Sequence, residues 1–246
     1  MEIKFLGIGS AWNINEDNTS AFIIKDKKML LIDCGESIAR KIIKNNILDD
    51  IKELYILISH THSDHIGSLG TLLFYSKYNK KIKNKIILPK DEEYEKNIKE
   101  YLRLVDISSE VEFIDCETLK NDFQFINFEM LIATHVNAFP CYCFVFEDEE
   151  GLIYYSADNN NMEYIKKFIK IDNAKVYTEI CDNPNLQEEH LYIKKLEEQI
   201  SELERKRIYL MHINEVLKKD DLLKKGFNIP NIERKKVKKI WKKKLN

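Results

Sequence analysis

The stretch 59–66 reads Ser-His-Thr-His-Ser-Asp-His-Ile, which puts three imidazoles and a carboxylate, His60, His62, Asp64 and His65, within six positions. Neutral imidazole and carboxylate are donors that suit zinc, and four of them on one short loop reach a common point without long-range chain closure. A lone H-x-H is as often a solvated polar loop as a metal site. Here the longer H-x-H-x-D-H follows the apolar run Leu54 to Ile58 and precedes Ile66, Leu69 and Leu73 at helical spacing. It therefore reads as a metal loop where a buried strand hands over to a helix.

Three further histidines complete the six of the chain: His135, His190 and His212. Each falls on or just after the end of an expected element. With Asp64 and Asp158 they supply enough imidazole and carboxylate for two adjacent metal ions, whose spacing of about 3.5–4 Å in two-metal sites needs a bridging ligand. Asp158, at the end of Ser156-Ala157-Asp158, is the natural bridge. Asp33, beside Gly35 at the tip of a strand, is placed either to orient a metal-bound histidine or to cap a helix over Ser37 to Lys44.

The elements that must position these groups alternate strand and helix, with hairpins added. Strands are expected over residues 2–8, 21–24, 29–32, 54–58, 85–89, 111–115, 141–147, 152–156 and 207–211, and another ends at Thr178-Glu179. The alternation from Phe123 to His135 predicts one or two strands there. Helices are expected over 37–44, after the histidine cluster, over 91–105 and from His190 to Arg205. The class is α/β, with sheet and helix layers, and no repeat, linker or second domain boundary interrupts 1–246.

Composition narrows the function classes. No apolar run approaches the roughly 20 residues that span a bilayer, and the chain opens on strand-like alternation, so a soluble intracellular protein without membrane partners is expected. Five cysteines at scattered spacings, without C-x-x-C, suggest reduced thiols, mostly buried, and neither disulfides nor a thiolate zinc site. Residues 214–246 carry 12 basic against four acidic side chains, leaving 27 basic against 37 acidic in the rest. An acidic body argues against a large phosphate-backbone face and hence against a stable nucleic-acid complex. The apolar residues Ile232, Val237, Ile240, Trp241 and Leu245 recur near helical spacing, predicting a basic amphipathic helix over about 231–246.

Taken in order, Phe5-Leu6-Gly7-x-Gly9, Asn18-Thr19-Ser20, Leu31 to Glu36, the 60–65 cluster, His135, Ser156-Ala157-Asp158 and Leu210-Met211-His212 resemble the metallo-β-lactamase fold. More narrowly they are similar to its branch of transfer-RNA 3′-processing endonucleases (tRNase Z) and related phosphodiesterases. The resemblance spans roughly residues 3–215. It implies an αβ/βα sandwich of two mixed sheets flanked by helices, with metals at one edge. It further implies that His60, His62 and His135 hold one zinc, that Asp64, His65 and His212 hold the other, and that Asp158 bridges them. Manganese or another divalent ion could replace zinc. Glu179 matches the glutamate of that branch's strand-end His-Glu-Ala-Thr, whereas Thr178 departs from its histidine. His190 stands where the branch has a histidine thought to protonate the leaving oxygen; its alternative is an ordinary helix N-terminal residue.

The endonucleases carry a long arm between the third histidine and the bridging aspartate, to grip transfer RNA. Here only 23 positions separate His135 from Asp158, nearly filled by a hairpin. A compact, arm-less chain of this length resembles the phage anti-Pycsar proteins, which degrade the cyclic pyrimidine mononucleotides of bacterial Pycsar defence and tolerate cyclic purine nucleotides. The function expected is a dinuclear-zinc phosphodiesterase opening 3′,5′-cyclic mononucleotides (cUMP, cCMP, cAMP, cGMP) to 5′-monophosphates. Asp64 would orient the attacking hydroxide, and His190, held by Glu179, would protonate the 3′ oxygen. The resemblance also implies a homodimer, and a host-cytoplasmic location if the gene is a phage's. Trp12, Phe139 and Tyr142 have flat faces for a base, although such residues are more often ordinary core or surface aromatics. The alternatives are a tRNase Z-like RNA endonuclease, a thioesterase or lactonase on the same fold, and a non-enzymatic nucleotide-binding sponge.

Overall fold

A computed structural model describes residues 1–233. Six strands form the first sheet in sequence order: β1 (Lys4–Gly7), β2 (Ser20–Lys25), β3 (Lys28–Ile32), β4 (Glu53–Leu57), β5 (Lys83–Leu88) and β6 (Val111–Asp115). β1, β2 and β3 pair antiparallel, and β3 to β6 run parallel. The second sheet has β7 (Asn127–Ile132), β8 (Tyr142–Asp148), β9 (Gly151–Tyr155), β10 (Lys175–Glu179) and β11 (Ile208–Met211), in the order β11-β10-β9-β8-β7. There β7, β8 and β9 pair antiparallel, while β9, β10 and β11 run parallel. Two mixed sheets flanked by helices make up the αβ/βα sandwich.

The composition of the strands explains the layering. Met29 to Ile32 and Leu54 to Leu57 are buried without a break, so these strands are covered on both faces, which is why they read as continuous apolar runs instead of alternating ones. The sheets meet through aromatic side chains: the Phe5 ring of β1 lies 5.2 Å from Tyr177 of β10 and 6.2 Å from Tyr155 of β9. Burying each such side chain contributes roughly 1.5–3 kcal/mol. All five cysteines are free, and all but Cys116 are buried. Among the described residues no helix is long and apolar enough to cross a membrane.

Parallel register fixes where the chemistry lies. Ile32 pairs with Leu57, and Glu179 with Met211, so Asp33, Ser59, Glu179 and His212 all emerge at carboxyl ends of parallel strands. Ligand sites in α/β sheets lie at that edge.

Two expectations need correction. Phe123, expected to open a strand, instead closes the helix Cys116–Phe123, whose start the Asp115 side chain caps by accepting from the Thr118 N–H; the strand begins only at Asn127. The helix expected from His190 is two pieces, Ile193–Gln199 and Glu202–Arg205, and His190 sits in the turn before them. A Ser201–Glu204 capping box restarts the second piece. The C-terminal helix expected over 231–246 lies outside the described residues but for its first three, where Ile232 forms a bridge with Phe5.

Candidate active site

The 60–65 loop leaves β4 and turns at once into the short helix Ser63–Ile66. That turn aims His60 and His62 one way and Asp64 and His65 another. His62 Nδ1 lies 3.0 Å from His60 Nε2 and 3.2 Å from His135 Nε2, so three nitrogens from two sheets converge. Beside them, His212 Nε2 lies 3.2 Å from Asp64 Oδ2 and 3.5 Å from Asp158 Oδ2, while His65 Nε2 lies 3.3 Å from Asp158 Oδ1. Two ligand groups result, His60, His62 and His135, and Asp64, His65, Asp158 and His212. A third group, Asp158, Glu179, His190 and His212, adjoins them and shares Asp158.

The donors fit divalent cations. His65 Nε2 and Asp158 Oδ1 are fully buried and face each other at 3.3 Å without making a hydrogen bond, a costly arrangement that a cation between them would relieve. Burial, reinforced by neighbouring His65, keeps His60 well below the usual imidazole range. Burial and His135 lower His62 as well, and neutral imidazole is the form that ligates. In the second group burial acts against charge but is outweighed. Asp158, Asp64 and Asp33 hold His65 well above its ordinary value, and His212 and His65 hold Asp158 well below the carboxylate range. These buried carboxylates require positive charge.

A further layer of contacts orients the ligands. Asp33 accepts from His65 Nδ1 at 2.8 Å and from the Ser59 N–H and hydroxyl at 2.7 and 2.8 Å. Of the two placements open for Asp33, it therefore orients a ligand histidine; the residue preceding the helix Ile38–Lys44 is Ser37, whose side chain does not cap it. The backbone passes close behind: a Cβ on Gly35 would lie 1.9 Å from the Asp64 carbonyl oxygen, so only glycine fits. Asp33, Ala157 and His212 all adopt the left-handed conformation, with φ of 60°, 48° and 53°.

Glu179 and His190 make an ion pair at the rim. Glu179 is fully buried at the end of β10, and its Oε2 lies 2.6 Å from His190 Nδ1. Burial alone would lower the imidazole, yet the Glu179 charge prevails and raises His190 to about 9. With Nδ1 bound to the carboxylate, Nε2 is the nitrogen left to give a proton.

Every predicted site residue is thus brought to one edge of the sandwich. Of the three aromatic candidates only one is. Trp12 is 88% exposed, and Tyr142 is buried with its hydroxyl on Asp91 at 2.6 Å; Phe139 alone adjoins the ligands, its ring 5.1 Å from His62. Sequence reasoning missed Ser59, which precedes the cluster and could have been flagged by position, and Asn159, for which the sequence carries no signal.

The family model described as "Anti-Pycsar protein Apyc1" matches residues 1–237. Two proteins of that name are each 28% identical to this chain. The one from Paenibacillus harenae aligns over 88% of this chain and 91% of its own, and the one from Bacillus phage BSP38 over 86% and 88%. Among solved structures, the metallo-beta-lactamase fold protein YhfI from Bacillus subtilis superposes with a TM-score of 0.64 at 18% identity, covering 95% of this chain and 96% of its own. Human tRNase Z, short form, superposes with a TM-score of 0.63 at 18% identity, covering 88% and 94%. These likenesses bear out the metallo-β-lactamase sandwich.

Proposed function

The chain belongs to the anti-Pycsar protein Apyc1 family, as a metal-binding hydrolase of the metallo-β-lactamase fold, and from that premise we propose that it opens 3′,5′-cyclic mononucleotides to 5′-monophosphates. The observation that carries this reading is the Glu179–His190 pair at 2.6 Å beside two metal-ligand groups. Ribose 3′ alkoxide is a poor leaving group and needs a proton as the P–O bond breaks, whereas the thiolate of a thioester leaves without such a donor. A macromolecular grip is not required for so small a phosphodiester, and the stretch between His135 and Asp158 holds only a turn and the β8–β9 hairpin.

His60, His62 and His135 would hold one zinc and Asp64, His65 and His212 the other, with Asp158 between them; manganese or another divalent ion could serve. When bound, the metal pair supplies an activated water and neutralises charge on the phosphoryl oxygens. Asp64 orients the water, and Glu179 keeps His190 protonated and turned so that Nε2 can donate to the 3′ oxygen. The protein would act as a single domain and a homodimer, in the host cytoplasm if a phage encodes it, with no stable nucleic-acid partner.

The test is incubation of metal-loaded protein with cyclic nucleotides, precursor transfer RNA and a thioester, with products separated chromatographically. Turnover of cyclic nucleotides to 5′-monophosphates is expected. Cleavage of the RNA alone would overturn the reading. His190→Ala should keep its metal and lose about 10²-fold or more on cyclic nucleotides, but much less on bis(p-nitrophenyl) phosphate, whose leaving group needs little protonation. Equal loss on both would remove the proton-donor role.

A further inference from the structure

The two residues after Asp158 join parts of the site that are remote in sequence. Asn159 is buried; its side-chain oxygen accepts from the N–H of Thr134 at 2.9 Å and of Asn161 at 3.1 Å. Its own backbone N–H donates to Glu179 Oε1 at 2.6 Å, the carboxylate oxygen not used by His190. The Asn160 N–H donates to the Thr134 carbonyl at 3.0 Å, next to His135. Its side-chain amide donates outward, to the carbonyls of Glu188 at 2.5 Å and Gln187 at 3.2 Å.

Those carbonyls belong to the segment that delivers His190. Residues 183–189 are all exposed, so no buried apolar side chain anchors them. Within the segment, the Glu189 and His190 N–H groups donate to the Leu186 carbonyl at 3.0 and 2.8 Å, which shapes the turn but does not tie it to the body. The ties around its His190 end are Asn160, the His190–Glu179 pair, and His135 Nδ1, which donates to the Glu189 carbonyl at 2.8 Å, while at its start the Cys181 thiol donates to the Asn183 carbonyl at 3.6 Å.

We propose that Asn160 is a positioning residue for the reaction: by gripping the Gln187 and Glu188 carbonyls it carries the placement of the strand end bearing Asp158 over to His190. This rests on the proton-donor reading of His190. A reacting geometry misplaced by about 1 Å can cost up to 10²-fold, and with the His135 and Glu179 ties retained a smaller loss, about tenfold, is expected.

Asn160→Asp keeps the shape but replaces the donating amide with an oxygen that cannot donate; Asn160→Ala removes the group and guards against an effect of the new charge. Both variants should retain the metal content of the unaltered protein. Turnover of a cyclic nucleotide should fall about tenfold in each, while turnover of bis(p-nitrophenyl) phosphate stays within about twofold. Amide hydrogen exchange over 184–190, followed by mass spectrometry, should speed up in both. Unchanged exchange, or equal loss on the two substrates, would overturn the proposal. His190→Ala measured alongside separates the failures. If it shows the selective loss and the Asn160 variants do not, only this inference falls; if it shows no selectivity, the donor role falls and this inference with it.

Discussion

His60, His62, Asp64 and His65 of the first half come from one loop, whereas His135, Asp158, Glu179, His190 and His212 of the second come from five separate stretches. In the first half one strand end and one helical turn set the geometry, and Asp33 and Ser59 lock it from directly below. In the second, geometry depends on the register of β9, β10 and β11 and on hydrogen bonds such as those of Asn159. The comparison teaches that one half of the site is local and compact, the other assembled by the fold. Asp158 is where they meet, within reach of His65, His135 and His212.

The largest effect should come from removing that meeting point. Asp158→Ala should lose bound metal and hydrolytic turnover together, to background, as read by elemental analysis and product formation. A variant that kept two equivalents and full turnover would show that the halves do not depend on a shared ligand.

A smaller effect should follow from Glu179→Gln, which leaves the ligands and alters the assembled half only. Because Glu179 raises His190 to about 9, the imidazolium persists below that pH and is lost above it. Without that carboxylate, burial still lowers the value and only the weaker pull of Asp158 and Glu189 opposes it. The alkaline limb of the rate profile for cyclic nucleotides should therefore move down, towards the ordinary imidazole value of about 6.5, with a loss of about 30-fold at pH 8. An unmoved limb would mean that another group titrates.

The smallest effect is expected in the local half. Asp33→Asn keeps the shape and the Ser59 contact but weakens the hold on His65 Nδ1, so metal affinity should drop about 10–100-fold, with turnover largely restored at saturating metal. If chelator titration showed no change in affinity, the local half would be fixed by the loop alone.

This division also decides what could be read from the sequence. The 60–65 loop was legible because its ligands are neighbours in the chain and follow a run of buried apolar residues. His135, Asp158 and His212 were legible as ends of alternating segments, and their grouping came from resemblance to a known order of motifs. The helix 116–123 was masked by the apolar Phe123, Phe125, Ile126 and Phe128, which look like strand, although Asp115 with Thr118 was a capping signal in plain view. The turn that holds His190 was read as the opening of a helix because it runs without a break into the mixed-charge stretch that ends at Arg205. What delays the start of that helix to Ile193 is the tie of the 183–190 segment to Asn160 and His135, contacts between residues far apart in the chain.

The left-handed backbone at Asp33, Ala157 and His212 bears on how this fold can change. A non-glycine residue held there costs on the order of 1–3 kcal/mol. At Asp33 and His212 glycine would relieve the strain but delete a carboxylate or an imidazole, so activity and stability pull in opposite directions. Ala157 carries no ligand atom. It is the one of the three strand ends where relaxation and chemistry are not in conflict, and so the place where stability can drift while the reacting groups stay fixed.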